Sequence, residues 1–309
     1  MLAVLEVVAP VFLVIAAGYT AVRIGWFGDD AVEALMSFAQ TFAIPALLLL
    51  AMATADFGAT FQLPMLGAFY AGATICFVAG LLGARFLFGR DWEDAVAVGF
   101  VALFSNSVLL GLPITERAYG IEALAGNYAI VAVHSPFCYL LGTTVMEAVR
   151  NRGGGVAVTM GRISLAMLRN PLMIGIFLGV AINLTGLPVP AVARAALDIM
   201  VAAALPVALF AMGGVLCRYR PEGDLRLIAW VVGLSLLVHP ALVWSFATAG
   251  GVDVAGLRSA VVTSAMAPGI NAYLFANMYG RAKRVAASAV LVGTVLVSLT
   301  SAGWLLLLP

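Results

Sequence analysis

Residues 43–46 read AIPA, and the similar stretch ALPV occupies residues 204–207, which lie 161 positions further along the chain. Such recurrence at a fixed offset is the mark of an internal repeat. We therefore predict two copies of one unit, at residues 1–149 and 170–309, with a linker at 150–169 between them. The same offset relates four pairs of glycines and prolines, which are Pro10 and Pro171, Gly18 and Gly179, Gly25 and Gly186, and Pro45 and Pro206.

The composition indicates that lipid surrounds most of this chain. Of its 309 residues, 63% are hydrophobic and only 10% are charged, whereas a soluble domain carries roughly 25% charged residues. A bilayer core needs roughly 20 apolar residues per helix, and backbone groups in lipid must be satisfied within the segment. We therefore predict an all-α polytopic membrane protein with ten transmembrane helices. The ten apolar windows are 3–22, 33–53, 64–84, 95–114, 126–146, 170–187, 195–216, 227–248, 257–279 and 285–308.

The basic residues predict the orientation of these windows. Most of the 16 Lys and Arg residues lie in alternate loops, and loops rich in these residues face the cytoplasm. Both termini are then expected on the outer, periplasmic side of the cell inner membrane, and the 150–169 linker in the cytoplasm. Each copy holds five windows, an odd number, so the second copy enters the membrane in the opposite direction. The expected architecture is a 5+5 inverted repeat.

Inverted repeats are typical of secondary transporters, which bind substrate near the membrane midplane on interrupted helices. The fourth window contains FSNSVLLGLPI at 104–114, and the ninth contains SAMAPGINAY at 264–273. A proline removes a backbone donor and clashes with the carbonyl four residues earlier. We therefore predict that Pro113 and Pro268 each open their helix.

Helix ends at such openings point N–H groups and partial positive charge at an anion. The amides of Asn106 and Asn271 lie beside the openings and can bind a carboxylate without a buried countercharge. Asn127 and Tyr128 begin the fifth window and are expected to line an approach to the site. The predicted substrate-binding residues are Asn106, Ser107, Gly111, Pro113, Pro268, Gly269, Asn271, Asn127 and Tyr128.

His134 lies inside the fifth window, where an ionisable residue is a functional hypothesis by default. Its imidazole suits proton exchange, and a neutral histidine bonded across helices explains it equally well. The sequence contains no catalytic or phosphate-binding motif. The three cysteines are scattered without metal-ligand spacing, and the net charge of +1 does not suggest a nucleic-acid partner. We predict no enzyme activity, cofactor or metal site.

Several of these stretches resemble the auxin efflux carrier family. They are Asn106 with the GLPI run at 111–114, PALL at 45–48, the His-Pro pair at 239–240 and the Ala-Pro pair at 267–268. The resemblance implies that the fourth and ninth helices cross beside the substrate. It also implies a scaffold of helices 1, 2, 6 and 7 that forms a homodimer, and a mobile unit of helices 3–5 and 8–10 that moves as an elevator. Window 64–84 lacks the acid–base pair of some plant members.

The sequence leaves three functional hypotheses. The first is a secondary active transporter that moves a small organic anion, an auxin-like or dicarboxylic acid such as indole-3-acetate or malonate, by alternating access. The alternative is a Na⁺-coupled organic-anion symporter that resembles bile-acid transporters. A receptor or enzyme subunit without transport activity is the third, and it would need a larger soluble domain than any loop here provides.

Overall fold

A computed structural model describes residues 2–150, 161, 165 and 168–309, so the predicted linker at 150–169 lies mostly outside the described residues. The described chain is α-helical, and its only β-type pairing is one isolated bridge. Its helices are α1 (Leu2–Arg23), α2 (Asp29–Phe38), α3 (Ile44–Thr54), α4 (Phe57–Thr60), α5 (Leu63–Phe86), α6 (Trp92–Leu103), α7 (Leu112–Tyr119), α8 (Ala125–Arg150), α9 (Pro171–Thr185), α10 (Ala191–Cys217), α11 (Leu225–Gly233), α12 (His239–Ala249), α13 (Val254–Ser264), α14 (Ile270–Tyr279) and α15 (Lys283–Leu307).

Short π-helical turns extend some of these helices. They occupy Ala39–Ala43, Ser107–Gly111 and Leu234–Val238, and each is followed by a helix with proline in its first turn. A π-helical turn adds a residue to the turn and so makes room for a proline ring that would clash within a regular helix.

Seven helical segments of the described chain are long and apolar enough to cross a membrane, which agrees with a polytopic membrane protein. Three of the ten predicted windows do not give such a segment. Windows 95–114 and 257–279 are each interrupted, and window 170–187 forms the 15-residue helix α9. The number ten therefore stays a prediction.

The chain folds into two compact units. The smaller unit contains Ala9–Thr60 and Ser164–Arg218, and the larger contains Met1–Val8, Phe61–Ile163 and Tyr219–Pro309. Each unit draws helices from both halves of the sequence, so the halves 1–149 and 170–309 are not themselves compact units.

In the smaller unit, helix backbones approach closely at glycines. A β-carbon on Gly18 would overlap the backbone of Phe210 in α10, and one on Gly179 would overlap the backbone of Leu49 in α3. Small residues allow this packing between membrane helices. Asn183 closes the end of α3, because its Nδ2 lies 2.9–3.1 Å from the backbone oxygens of Met52, Ala53 and Ala55.

The larger unit has an aromatic core and tight packing between α5 and α6. The rings of Phe100 and Phe275 stack with centroids 3.8 Å apart. A β-carbon on Gly80 of α5 would lie 3.1 Å from the α-carbon of Gly99 in α6, so the two backbones are close here as well.

Charged side chains link several helix ends of the larger unit. Glu93, in the first turn of α6, accepts hydrogen bonds from Arg150 Nε at 2.9 Å and from Arg281 Nε at 3.0 Å. Arg281 Nη1 also binds Asp91 Oδ2 at 3.1 Å. The residue before α15, Ala282, has a left-handed φ of 46° and donates its N–H to Asp94. Glu93 therefore connects α6 with α8 and with the α14–α15 connection.

We expect Glu93→Gln to lower the melting temperature of the purified protein by about 3 °C, the shift for about 1 kcal/mol in a chain of this size. Burial opposes ionisation of Glu93, but hydrogen bonds from Arg281 and Arg150 outweigh it and lower the pKa of this carboxyl. The stabilisation is therefore present at neutral pH and is lost as the pH falls below about 4.5. Thermal melts from pH 7 to pH 4 measure the difference in melting temperature between the variant and the wild type, which should shrink on acidification.

Glu222→Gln is the matched control, because Glu222 lies 3.9 Å from Arg284 and both side chains are exposed. Equal melting temperatures for Glu93→Gln and the wild type would show that this network does not stabilise the fold.

Candidate functional site

The fourth window is interrupted at Phe104–Asn106, which we name the first interruption. Helix α6 ends at Leu103, and the chain resumes at Asn106 as the π-helical turn Ser107–Gly111, which leads into α7. The prediction that Pro113 opens the helix is wrong, because Pro113 lies in the first turn of α7 and the opening precedes it. The π-helical turn accommodates this proline without a break.

The ninth window is interrupted at residues 265–269, which we name the second interruption. Helix α13 ends at Ser264, and α14 begins at Ile270 with Gly269 as its N-terminal cap. Pro268 lies within this interruption. Gly269 makes no side-chain capping bond to α14, so no capping oxygen of this residue offsets the positive end of the helix dipole.

The two interruptions pair with each other as a short antiparallel bridge between Ser105 and Pro268. The N–H of Asn106 donates to the carbonyl of Ala267 at 2.8 Å, and the N–H of Gly269 donates to the carbonyl of Phe104 at 2.9 Å. Backbone outside a helix is stable within a membrane only where it is buried and its polar groups have partners. Each interruption supplies those partners to the other.

Glycines fit the interruptions closely. A β-carbon on Gly269 would lie 3.2 Å from the Phe104 ring and 3.5 Å from the α-carbon of Asn106. One on Gly293 of α15 would lie 2.9 Å from Cδ of Pro268. Larger residues at these positions would push the paired segments apart.

Asn106 caps the π-helical turn with which the fourth window resumes. Its side-chain Oδ1 accepts the N–H of Leu109 at 3.2 Å, and its backbone oxygen accepts the N–H groups of Leu110 and Gly111. Asn106 is 6% exposed. A buried amide at a helix N-terminus combines hydrogen-bond donors with the positive end of the helix dipole, which suits an anion.

Two buried histidines lie beside the interruptions. The His134 ring packs 4.6 Å from the Phe104 ring, and both His134 and His239 contact the ring of Phe69. A ring nitrogen of His239 lies 3.4 Å from the carbonyl oxygen of Phe69. His134 is thus in direct contact with the first interruption.

Asn127 is fully buried and connects three helices. Its Nδ2 donates to Thr115 Oγ1 of α7 at 3.0 Å and to Thr263 Oγ1 of α13 at 2.8 Å. The two threonines therefore belong to the polar interior, which the sequence did not indicate. Their separations from Asn127 of 12 and 136 residues leave no local pattern that could have revealed them.

The other predicted residues occupy different positions. Ser107 and Gly111 are buried at the two ends of the π-helical turn. Tyr128 and Asn271 are half-buried, and in the described part of the chain neither takes part in the hydrogen bonds that close the interruptions. The structure thus brings Asn106, Pro268 and Gly269 together. The described residues include no group of three or more His, Cys, Asp or Glu side chains that could hold a metal ion.

Apolar helices and paired interruptions together define a class, that of polytopic α-helical membrane transport proteins. A family model described as "Membrane transport protein" matches residues 3–305. The chain belongs to this auxin efflux carrier-like family, which confirms the resemblance predicted from the sequence. The family consists of transporters, so the prediction that the chain is not an enzyme is also confirmed.

A relative from Rhizobium meliloti (strain 1021) carries the name "Putative malonate transporter". It is 27% identical to this chain over 313 residues, and the alignment covers 97% of this chain and 94% of the relative. Similarity over nearly the full length of both chains places the two interruptions inside the aligned region.

Proposed function

We propose that this protein is a secondary active transporter that moves a small organic anion by alternating access, with the substrate at the crossing of the two interruptions. The observation that carries the proposal is the pairing of Phe104–Asn106 with residues 265–269. Two helical segments begin directly after this pairing. They are the π-helical turn Ser107–Gly111, which leads into α7, and helix α14. Helix ends and amide donors together bind a carboxylate without a fixed positive charge.

The inverted repeat is part of this proposal, and the packing of the smaller unit supports it. Gly18 meets Phe210, and Gly179 meets Leu49. The two contacts are equivalent under the 161-residue offset, because this offset relates Gly18 to Gly179 and Leu49 to Phe210. Two equivalent contacts of this kind are expected where two repeats face each other across a two-fold axis.

The motion proposed is that of an elevator. The smaller unit contains the helices assigned to the scaffold except the first residues of α1, up to Val8, and the larger unit contains those assigned to the mobile part. The glycine packing and the Asn183 cap support this assignment, because a scaffold needs helices that are tightly packed against each other. We further propose that the scaffold forms a homodimer in the cell inner membrane with both termini outside.

Dicarboxylates are the substrate class that we test first, because the Rhizobium relative is named for malonate. Proton coupling through His134 is the first coupling hypothesis, since this histidine is buried against the first interruption. The alternative is Na⁺-coupled symport, in which neutral oxygens hold the cation.

Purified protein in liposomes should show saturable uptake of radiolabelled malonate or of another small carboxylate, such as indole-3-acetate, succinate or acetate. Matched liposomes without protein measure leakage. A protonophore should abolish uptake if protons drive it, and replacement of Na⁺ by choline should abolish uptake if Na⁺ does. His134→Gln should remove only the proton-driven component. Folded protein that transports no carboxylate of the panel under either gradient would contradict the proposed function.

A further inference from the structure

Three uncharged polar side chains meet inside the larger unit, and we name them the Asn127 cluster. They are Thr115 of α7, Asn127 of α8 and Thr263 of α13, and each is 0% exposed. A β-carbon on Gly111 would lie 3.7 Å from Thr263 Oγ1, so the cluster borders the π-helical turn after the first interruption. Through Asn127 of α8, the cluster therefore links α7 of the fourth window to α13 of the ninth window.

One atom of the cluster has no partner among the described residues. Asn127 Nδ2 donates both of its hydrogens to the threonine hydroxyls, but no described residue forms a hydrogen bond with the buried Asn127 Oδ1. A carbonyl oxygen buried without a donor is costly in an apolar surrounding. A group that binds Oδ1 must carry positive charge or a donor proton, because Oδ1 can only accept.

Geometry and charge narrow the choice of ligand. In a planar amide, an acceptor bound to the N–H on the oxygen side lies within about 4 Å of that oxygen at normal hydrogen-bond lengths. One threonine oxygen and Oδ1 are thus close enough for a single hard cation to bridge them at about 2.4 Å from each. Each hydroxyl oxygen keeps a second lone pair after it accepts one hydrogen bond. The three side chains are neutral, so one positive charge is less costly here than two.

We propose that the Asn127 cluster is a binding site for a small monovalent cation, with Na⁺ as the ion to test. Asn127 Oδ1 and the hydroxyl oxygen of the threonine on the oxygen side of the amide supply ligands. Since these side chains come from α7, α8 and α13, a bound ion stabilises the arrangement in which the interruptions are paired. The site stands independently of the identity of the transported anion, and it gives the Na⁺-coupled alternative a location.

The test is the thermal stability of the full-length protein in detergent, in NaCl, LiCl, KCl or choline chloride at equal ionic strength. A ligand that binds only the folded state raises the melting temperature with its concentration. We expect NaCl to raise the melting temperature by several degrees over choline chloride, in a saturable manner. Thr115→Val/Thr263→Val should lose the Na⁺-dependent shift, because it removes two oxygens and changes the volume little. Thr294→Val is the matched control and should keep the shift, because Thr294 is also buried and its hydroxyl donates to the carbonyl of Val290 within α15.

Asn127→Asp supplies a second variant if the double valine variant does not fold. The aspartate keeps an oxygen at the Oδ1 position and adds a negative charge, so half-saturation by Na⁺ should shift to a roughly tenfold lower concentration. Equal melting of the wild type in all four salts would show that water alone meets Oδ1, and would overturn the cation site. A Na⁺ shift retained by the double valine variant, or unchanged in Asn127→Asp, would place the ion elsewhere and overturn it as well. Failure of carboxylate uptake would contradict the proposed function without affecting this result.

Discussion

Asn106→Asp should reduce kcat/KM for carboxylate uptake by at least about 100-fold while the protein remains folded. Two like charges about 4 Å apart repel by about 4 kcal/mol at an effective dielectric constant of about 20, and each 1.4 kcal/mol corresponds to a factor of ten. The aspartate places its own negative charge at the helix end where we propose that the substrate carboxylate binds. It also replaces the amide N–H₂ donors by an acceptor.

The fold should tolerate this substitution because the capping atom is retained. Asn106 Oδ1 accepts the N–H of Leu109, and an aspartate oxygen can accept the same hydrogen bond at a position where helices favour negative charge. Asn106→Asp should therefore still fold, with a lower melting temperature than the wild type because burial of the aspartate charge is costly.

Two further variants separate the cap from the substrate contact. Asn106→Ser keeps a neutral capping oxygen and loses the amide donors, so uptake should fall by roughly tenfold, the value of about one neutral hydrogen bond. Asn106→Ala loses the cap as well, and both uptake and melting temperature should fall. Initial uptake rates in liposomes against substrate concentration give KM and kcat for each variant. Wild-type kinetics for Asn106→Asp would show that the substrate binds away from the first interruption.

The membrane class and the family could be predicted from the sequence because both depend on local patterns. Apolar windows of about 20 residues reflect the thickness of the bilayer, and the family resemblance rests on short stretches around Asn106, Pro45 and Pro268. The approximate location of the interruptions followed from the same Gly and Pro residues. The orientation, the inverted repeat and the dimer stay predictions.

The exact opening of the fourth window could not be predicted, because two local structures can accommodate the same proline. Pro113 could have broken its helix, but the π-helical turn Ser107–Gly111 absorbs it and moves the opening to Phe104–Asn106. The partner of that opening, residues 265–269, lies far away in sequence, and the hydrogen bonds between the two exist only in the folded chain. The Asn127 cluster could not be predicted for the same reason, because its hydrogen bonds also form only in the folded chain. Asn127 was visible as a polar residue in an apolar window, but its threonine partners come from other helices.

Gly213→Val should prevent the smaller unit from folding, and Gly213→Ala should lower the melting temperature by about 10 °C. A β-carbon on Gly213 would overlap the backbone oxygen of Ile15 in α1 and would lie 2.8 Å from the backbone nitrogen of Tyr19. A flexible side chain can rotate away from an added methyl group, but a helix backbone cannot. Helices α1 and α10 would have to separate and lose packing along their length, at a cost of about 3 kcal/mol or more, which corresponds to a shift of about 10 °C at roughly 3 °C per kcal/mol.

Gly67→Ala is the matched control, because Gly67 lies in the second turn of the apolar helix α5 and a β-carbon there would have no atom of the described residues within 4 Å. Alanine forms helix better than glycine, so this variant should be as stable as the wild type or more stable, by up to about 1 kcal/mol. Size-exclusion profiles and thermal melts in detergent compare the variants. Gly18→Ala should behave like Gly213→Ala, since Gly18 of α1 packs against the backbone of Phe210 in α10 and so belongs to the same helix contact. If Gly213→Ala and Gly67→Ala melted alike, α1 and α10 would not be in backbone contact, and a rigid scaffold built on that contact would lose its physical basis.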